Sequence, residues 1–301
     1  MNTKKNPGKM VFSFASARAI AAILLLCSIA ACGQAVPNGN LSATESETDM
    51  LFKLLQFQAD VQGNLNDLDV DVANASQNIS TTGLEGTGAR EVLSKLLETN
   101  SNLVEASTFS KDGKIIVTEC KGCDRNEGAD ISGQEHVALI LRTKNPTFSK
   151  QFLLMEGYNG TALEYPVFSP KGEFLGGISA VIEPDKLLNA LVAPLLQNDM
   201  YNRSGIANYT FWVMDRDGPL LYDEDTSQIG KNLFEDPLYK PFPDLQELVE
   251  HRIVAERSGH GNYSYFEVIG GNKAVVTKVC YWTTAGLHGR EWRLVITKVV
   301  Q

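Results

Sequence analysis

The chain has 301 residues, 43% of them hydrophobic, and its 27 Lys and Arg against 36 Asp and Glu give a formal net charge of −9. With the N-terminal segment described below set aside, about 270 residues remain, enough for one large domain or two of common size with a buried core. The acidic balance excludes a basic stripe for nucleic acid and a polybasic attachment to anionic lipid.

Lys4, Lys5, Lys9 and Arg18 form a basic start, and residues 19–31 run without a charge, the layout of a secretory signal. That run is about 13 residues, well short of the ~20 that a helix needs to span a bilayer. It ends in Ile29-Ala30-Ala31-Cys32, which resembles a lipobox, the site where a prokaryotic signal peptidase cuts and the cysteine becomes a diacylated N-terminus. Residues 1–31 are therefore expected to be a lipoprotein signal peptide and Cys32 the lipidated residue. Residues 32–45, polar with Pro, Gly and Ser, form a tether that holds the rest outside the cytoplasm on a membrane.

Apolar residues then recur at helical spacing over residues 45–79, namely Leu51, Leu54, Leu55, Phe57, Val61, Leu65, Leu68, Val72, Ala75 and Ile79. A Gly-rich break at 81–88 ends this long amphipathic helix, and 89–99 starts a second one. After Asn102 the pattern turns to strands, at 103–109 and 114–118 around Ser110-Lys111-Asp112-Gly113, whose Asp-Gly pair suits a tight hairpin. A short helix is expected at 134–143. Strands follow at 151–156, 161–168 and 174–182, the last two joined by Ser169-Pro170-Lys171-Gly172, and Pro184 opens a helix to Leu196. The strand, Asp-Gly turn and strand recur about 105 residues on, as 211–214, Asp215-Arg216-Asp217-Gly218 and 220–222. A helix is expected at 243–257, a turn at Gly259-His260-Gly261, and strands at 263–268, 273–282 and 291–299. Domain boundaries follow at 46–100 for the helices, 101–197 for a first α+β unit and 205–300 for a second.

Beyond Cys27, which leaves with the signal, and Cys32, the folded part holds Cys120, Cys123 and Cys280. Cys120-Lys121-Gly122-Cys123 has the spacing of half a zinc site, a redox pair or a small disulfide loop; with no second C-x-x-C or paired histidines, a local disulfide or inert thiols is the favoured reading, and no metal or other cofactor is expected. Seven N-x-S/T sequons, at Asn40, Asn74, Asn78, Asn159, Asn202, Asn208 and Asn262, matter only in a host that glycosylates exported proteins. Asp215, Asp217 and Asp223 invite a calcium reading, but their spacing is not that of an EF-hand and hairpin carboxylates explain them better. There is no G-x-S-x-G, H-E-x-x-H or phosphate loop, and the four histidines are scattered, so no enzyme is expected.

The strings EYPVFSPKGEFLGGISAVIEPDKL in the first unit and FWVMDRDGPLLYDEDTSQIGKNLF in the second, followed by SGHGNYSYF and EWRLVITKV, resemble in this order the extracytoplasmic double Cache sensors. The resemblance covers residues 45–300 and implies an α+β fold: a long N-terminal helix followed by two PAS-like (Cache) units with mainly antiparallel sheets, the first distal to the membrane and the second proximal. It also implies a small-molecule pocket in the first unit. Amino-acid-binding members grip the ligand with an arginine, a Trp-Tyr pair, a tyrosine and an aspartate. The corresponding positions here hold Gln134, His136-Val137, Phe152 and Val181, so both the carboxylate clamp and the ammonium counter-charge are missing and an α-amino-acid ligand is not expected. Gln134, His136, Phe152, Glu156, Tyr165 and Ser179 are the candidate ligand-binding residues, with Gln134 able to donate and accept and His136 placed to change charge near neutral pH. Arg142 and Lys144 are read as surface residues.

The expectation is thus a lipid-anchored, extracytoplasmic small-molecule-binding protein. With neither a second membrane helix nor an output domain after Val300, it would act through a membrane receptor or transporter and bind no nucleic acid. The competing reading is a cell-surface structural or interaction protein whose units hold no ligand.

Overall fold

Helix α1, Gly39–Thr82, is the spine of the structure. Met50, Leu54, Phe57, Val61, Leu65, Leu68, Val72, Ala75 and Ile79 are all buried, a stripe spaced by three and four residues down one face. Leu51 and Leu55, read from the sequence as part of that face, are exposed, because each lies one residue past a stripe position and turns about 100° away. The computed structural model describes residues 39–122, 126–154, 157–197, 209–269 and 272–300, so the predicted signal peptide and Cys32 lie outside the described residues. Among the described residues no helix is long and apolar enough to cross a membrane.

After α1, the backbone reverses through Gly83 into α2, Gly86–Thr99, which packs its buried Ala89, Leu93, Leu96 and Leu97 on the first sheet. That sheet is built from β1 (Leu103–Ser110), β2 (Ile115–Cys120), β3 (Thr147–Phe148), β4 (Phe152–Leu153), β5 (Asn159–Phe168) and β6 (Phe174–Ile182) in the order β2-β1-β6-β5-β3, with β4 also on β5. Helix α3, Glu135–Thr143, lies between β2 and β3 in the chain, and α4, Pro184–Gln197, leaves the sheet. The second sheet comprises β7 (Tyr209–Asp215), β8 (Leu220–Asp223), β9 (Gly259–Ile269), β10 (Asn272–Leu287) and β11 (Arg290–Val299), in the order β8-β7-β11-β10-β9. All strand pairs in both are antiparallel, and each sheet places its last two long strands beside its first hairpin in the same pattern. The architecture is α+β, a long helix followed by two antiparallel-sheet units.

Three hairpins repeat one device. In Ser110–Gly113, Ser169–Gly172 and Asp215–Gly218 the first carbonyl accepts from the glycine N–H at 2.9, 2.8 and 2.9 Å. Each glycine has positive φ, and each hairpin carries a register shift beside the turn, the bulge that such a glycine produces. These turns fall where the sequence puts them.

Other expectations need correction. The strand at 151–156 shrinks to Phe152–Leu153, while an unexpected pair, Thr147–Phe148, takes the sheet edge opposite Glu164 and Leu163. The helix at 243–257 is α-helical only over Pro243–Leu248 (α5) and continues as a π-turn over Val249–Ile253, closed by the buried Arg293, which donates to the carbonyls of Ile253 and Val254 at 2.7 and 2.9 Å. Gly259-His260-Gly261 is not a turn but the start of β9. A Cβ on Gly259 would stand 2.3 Å from the Trp282 ring and one on Gly261 2.6 Å from Leu248, so both glycines admit close packing rather than reverse the chain. Cys120 is disulfide-bonded, Cys123 lies outside the described residues, and Cys280 is a free, buried thiol pushed up to about 12 by burial.

The α1 spine joins the units. Its N-terminal half reaches the second: Gln58 donates to the Thr284 carbonyl, and Gln62 both donates to and accepts from the Gly286 backbone at 3.0 Å. Its C-terminal half reaches the first, where Ser76 and Ser80 donate to the carbonyls of Pro166 and Phe168. One hydrophobic core runs from α1 and α2 across the inner faces of both sheets, and Phe148 meets Trp292 with ring centroids 5.4 Å apart. The outer face of each sheet is left for other cover.

Candidate functional site

On the outer face of the first sheet, five strands bring their registers to a polar row. Thr118 pairs with Ser107, Ser107 with Ser179, Ser179 with Glu164, and Glu164 with Thr147. Directly paired residues project to the same face, so the row is continuous. All five are buried, Glu164 completely. The intervening residues of β5, Leu163 and Val167, face the other way into the core against α1.

Helix α3 covers this row. Val137 and Ile140 pack on Phe109, and His136 turns inward. The His136 ring stacks on Phe152 at 4.8 Å between centroids and an interplanar angle of 26°, and its Nε2 lies 3.5 Å from Glu164 Oε1. Neither Glu164 oxygen has a hydrogen-bond partner among the described residues, and neither does Thr118 Oγ1. The Ser179 hydroxyl is near enough to favour the ionised form slightly, but it makes no well-formed hydrogen bond. Burial dominates both titratable groups: it raises Glu164 to about 8 and lowers His136 to about 4. At neutral pH the pair is an uncharged carboxylic acid beside an uncharged imidazole. His136 therefore does not change charge near neutrality, contrary to the sequence expectation.

A buried carboxyl group with both oxygens unpaired costs several kcal/mol relative to a hydrogen-bonded one, so natural interiors keep few of them. When such a group is protonated it can donate one hydrogen bond and accept others, which suits recognition of a polar molecule from which water is excluded.

Of the predicted site residues, the structure brings His136, Phe152 and Ser179 together around Glu164. Gln134 is exposed at the N-cap of α3, with its carbonyl accepting from Ala138 N and its side chain making no cap bond. Tyr165 lies on the opposite face of β5, where its hydroxyl donates to Asp69 Oδ1 of α1 at 2.6 Å. Glu156 lies outside the described residues. Glu164 itself, with Ser107 and Thr118, was missed. Its one signal is an acid in the interior of an otherwise apolar strand, between Leu163 and Tyr165, a pattern that solvated hairpins also show. The calcium candidates separate: Asp215 and Asp217 both pair with Arg290, at 3.0 and 2.7 Å, while Asp223 sits across from Trp212.

Residues 63–184 match the family described as HK/GC/Chemotaxis protein-like, sensor domain, a stretch that contains the polar row and its cover. No curated protein matches the chain. Among solved structures, an extracellular ligand-binding receptor from Desulfohalobium retbaense is similar with a TM-score of 0.67 and 28% identity over 84% of this chain. The chain spans 40% of that receptor's length. The ligand-binding domain of the Pseudomonas aeruginosa amino-acid chemoreceptor PctC, in complex with GABA, shares the fold at a TM-score of 0.57 and 14% identity over 84% of this chain and 99% of that one. The periplasmic sensory domain of the Campylobacter jejuni chemoreceptor Tlp1 does so at 0.58 and 11%, over 86% and 96%. The chain thus has the double Cache fold seen in extracellular sensor domains, and its residues 63–184 are similar to the sensor domains of histidine kinases, guanylate cyclases and chemotaxis proteins.

Proposed function

We propose that the protein is a lipid-anchored extracytoplasmic sensor that captures a small polar molecule on the covered face of its first sheet and signals its occupancy to a membrane receptor or transporter. The observation that carries the reading is Glu164, fully buried with both oxygens unpaired beneath His136. A ligand donor completes its hydrogen bonding, Ser179 and His136 supply further polar contacts, and Phe152 supplies an apolar wall. The residues that would clamp an α-amino-acid head are absent, so the ligand is a molecule without that head group. On this reading Cys32 provides the attachment, and the contacts of Gln58 and Gln62 of α1 with the second unit favour a membrane-proximal second unit with the Glu164 face turned away from the membrane.

Two readouts test this. The wild type is expected to incorporate a metabolic fatty-acid label that Cys32→Ser does not; an unlabelled wild type, or label undiminished in the variant, would remove the anchor. In a thermal-shift screen against a metabolite library, at least one compound is expected to stabilise the wild type and to lose that effect in Glu164→Met, which keeps the side-chain volume but removes both oxygens. A library without a single stabilising compound, or hits undiminished in Glu164→Met, would overturn the site.

A further inference from the structure

A separate cavity of about 230 Å3 opens on the outer face of the second sheet, bordered by Leu245 of α5 and by the segment that follows β8. This is somewhat below the volume of drug-sized pockets and fits a small metabolite. Its aromatic wall is Trp212, Tyr239, Tyr265 and Phe266. The rings are held in place: the Tyr239 and Tyr265 hydroxyls both donate to Gln228 Oε1, at 3.3 and 2.9 Å, and Gln228 Nε2 donates to Asp225 Oδ2 at 3.2 Å. Tyr265 stands 6.1 Å from Tyr239 and 5.6 Å from Phe266, centroid to centroid.

The charge around these rings is uneven. Asp223, Glu224, Asp225 and Glu267 line the cavity against Lys273 and Lys278, and Lys278 is already paired with Glu267 at 2.8 Å. Burial raises Asp223 to about 7 and also raises Glu224, while Asp225 stays firmly ionised near Lys273; a cationic guest favours ionisation of the two raised acids, and an anionic guest opposes it. The geometry of a metal site is lacking among the described residues, where no three His, Cys, Asp or Glu side chains converge. The remaining lysine is itself informative. Lys273 Nζ sits over the Phe266 ring, 4.3 Å from its centroid, so one ring of the cavity lining already accepts an ammonium group in cation–π geometry.

We infer that this cavity is a second binding site, for a small organic ammonium ion, and that Lys273 occupies it as a tethered stand-in which the ligand displaces. The recognition elements are the carboxylates of Asp223 and Asp225 and the faces of Tyr265 and Phe266. The inference is independent of the Glu164 site, which lies on the other sheet and presents no net charge at neutral pH.

The test is a titration of the purified full-length protein with ethanolamine and with choline, read by tryptophan fluorescence, with sodium acetate and sodium chloride as controls. Trp212 lines the cavity and Trp282 and Trp292 do not, so a change lost in Trp212→Phe reports this site. A saturable change is expected with at least one amine and with neither control. Asp223→Asn is expected to weaken that amine about tenfold, roughly the loss of one close charge pair. Lys273→Ala, a change at an exposed residue that leaves the fold intact, is expected to tighten it about two- to fivefold by removing the internal competitor. The proposal is overturned if neither amine gives a saturable change in the wild type and in Lys273→Ala, if acetate does, or if binding is indifferent to Lys273→Ala.

Discussion

Glu164 and His136 face each other with opposite displacements, and their effects on stability divide by pH. Burial raises Glu164 to about 8, so its protonated form is the one the fold accommodates; stability from this group is complete below the unfolded value near 4.5 and is lost as pH rises through 8. His136, lowered to about 4, acts in the other sense: its contribution is complete above the unfolded value near 6.5 and is lost as pH falls through 4. Between about 4.5 and 6.5 the two slopes cancel, and from 6.5 to 8 Glu164 acts alone, lowering stability by about 1.4 kcal/mol per pH unit. Denaturant titrations from pH 5 to 9 should show that fall in the wild type and a shallower one in Glu164→Gln. The variant retains some slope because burial also raises Asp223, to about 7. Identical profiles for the two proteins would mean that Glu164 is already ionised and satisfied.

The elements divide by how local their causes are. The hairpins at Gly113, Gly172 and Gly218 were legible because a turn is specified within four residues. The buried stripe of α1 was legible because its period persists for eight turns. Less visible were features set by distant neighbours. Thr147–Phe148 forms a strand only because β5 offers an open edge, and the π-turn after Leu248 depends on Arg293, some 40 residues away, to close its carbonyls. Gly259-His260-Gly261 was misread for the same reason, since its glycines answer to Trp282 and Leu248 across the sheet. Gly259→Ala, which tolerates any turn role but not the 2.3 Å approach to Trp282, should cost about 1–3 kcal/mol in chemical denaturation. A cost below ~0.5 kcal/mol would restore the turn reading. The candidate site was half legible: His136 and Phe152 stand at positions that the resembling family uses for its ligand, and Ser179 lies on a strand that the resemblance puts beside the pocket. Glu164 became evident only when the strand register placed it against Ser179 and beneath α3.

At the scale of the molecule, α1 is the element that contacts both units. Asp69 Oδ1 receives the Tyr165 hydroxyl from the first sheet and meets His288 Nε2 from the β10–β11 hairpin of the second, both at 2.6 Å. Tyr165 follows Glu164 on β5 and projects to the opposite face, so on the proposed reading a shift of β5 upon ligand capture would reach a contact shared by both units and the spine. Asp69→Ala leaves that hydroxyl and that imidazole without their common partner, and is expected to lower stability by about 1–3 kcal/mol. It should also uncouple the thermal transitions of the two units, where a single transition would show that the shared core alone holds them together. The central claim remains that the Glu164 face is a ligand site. Native mass spectrometry of the protein, purified from its native host alongside Glu164→Met, tests it most directly. The account predicts a small molecule retained by the wild type and lost from the variant; an unliganded wild type, or a ligand held equally by both, would contradict it.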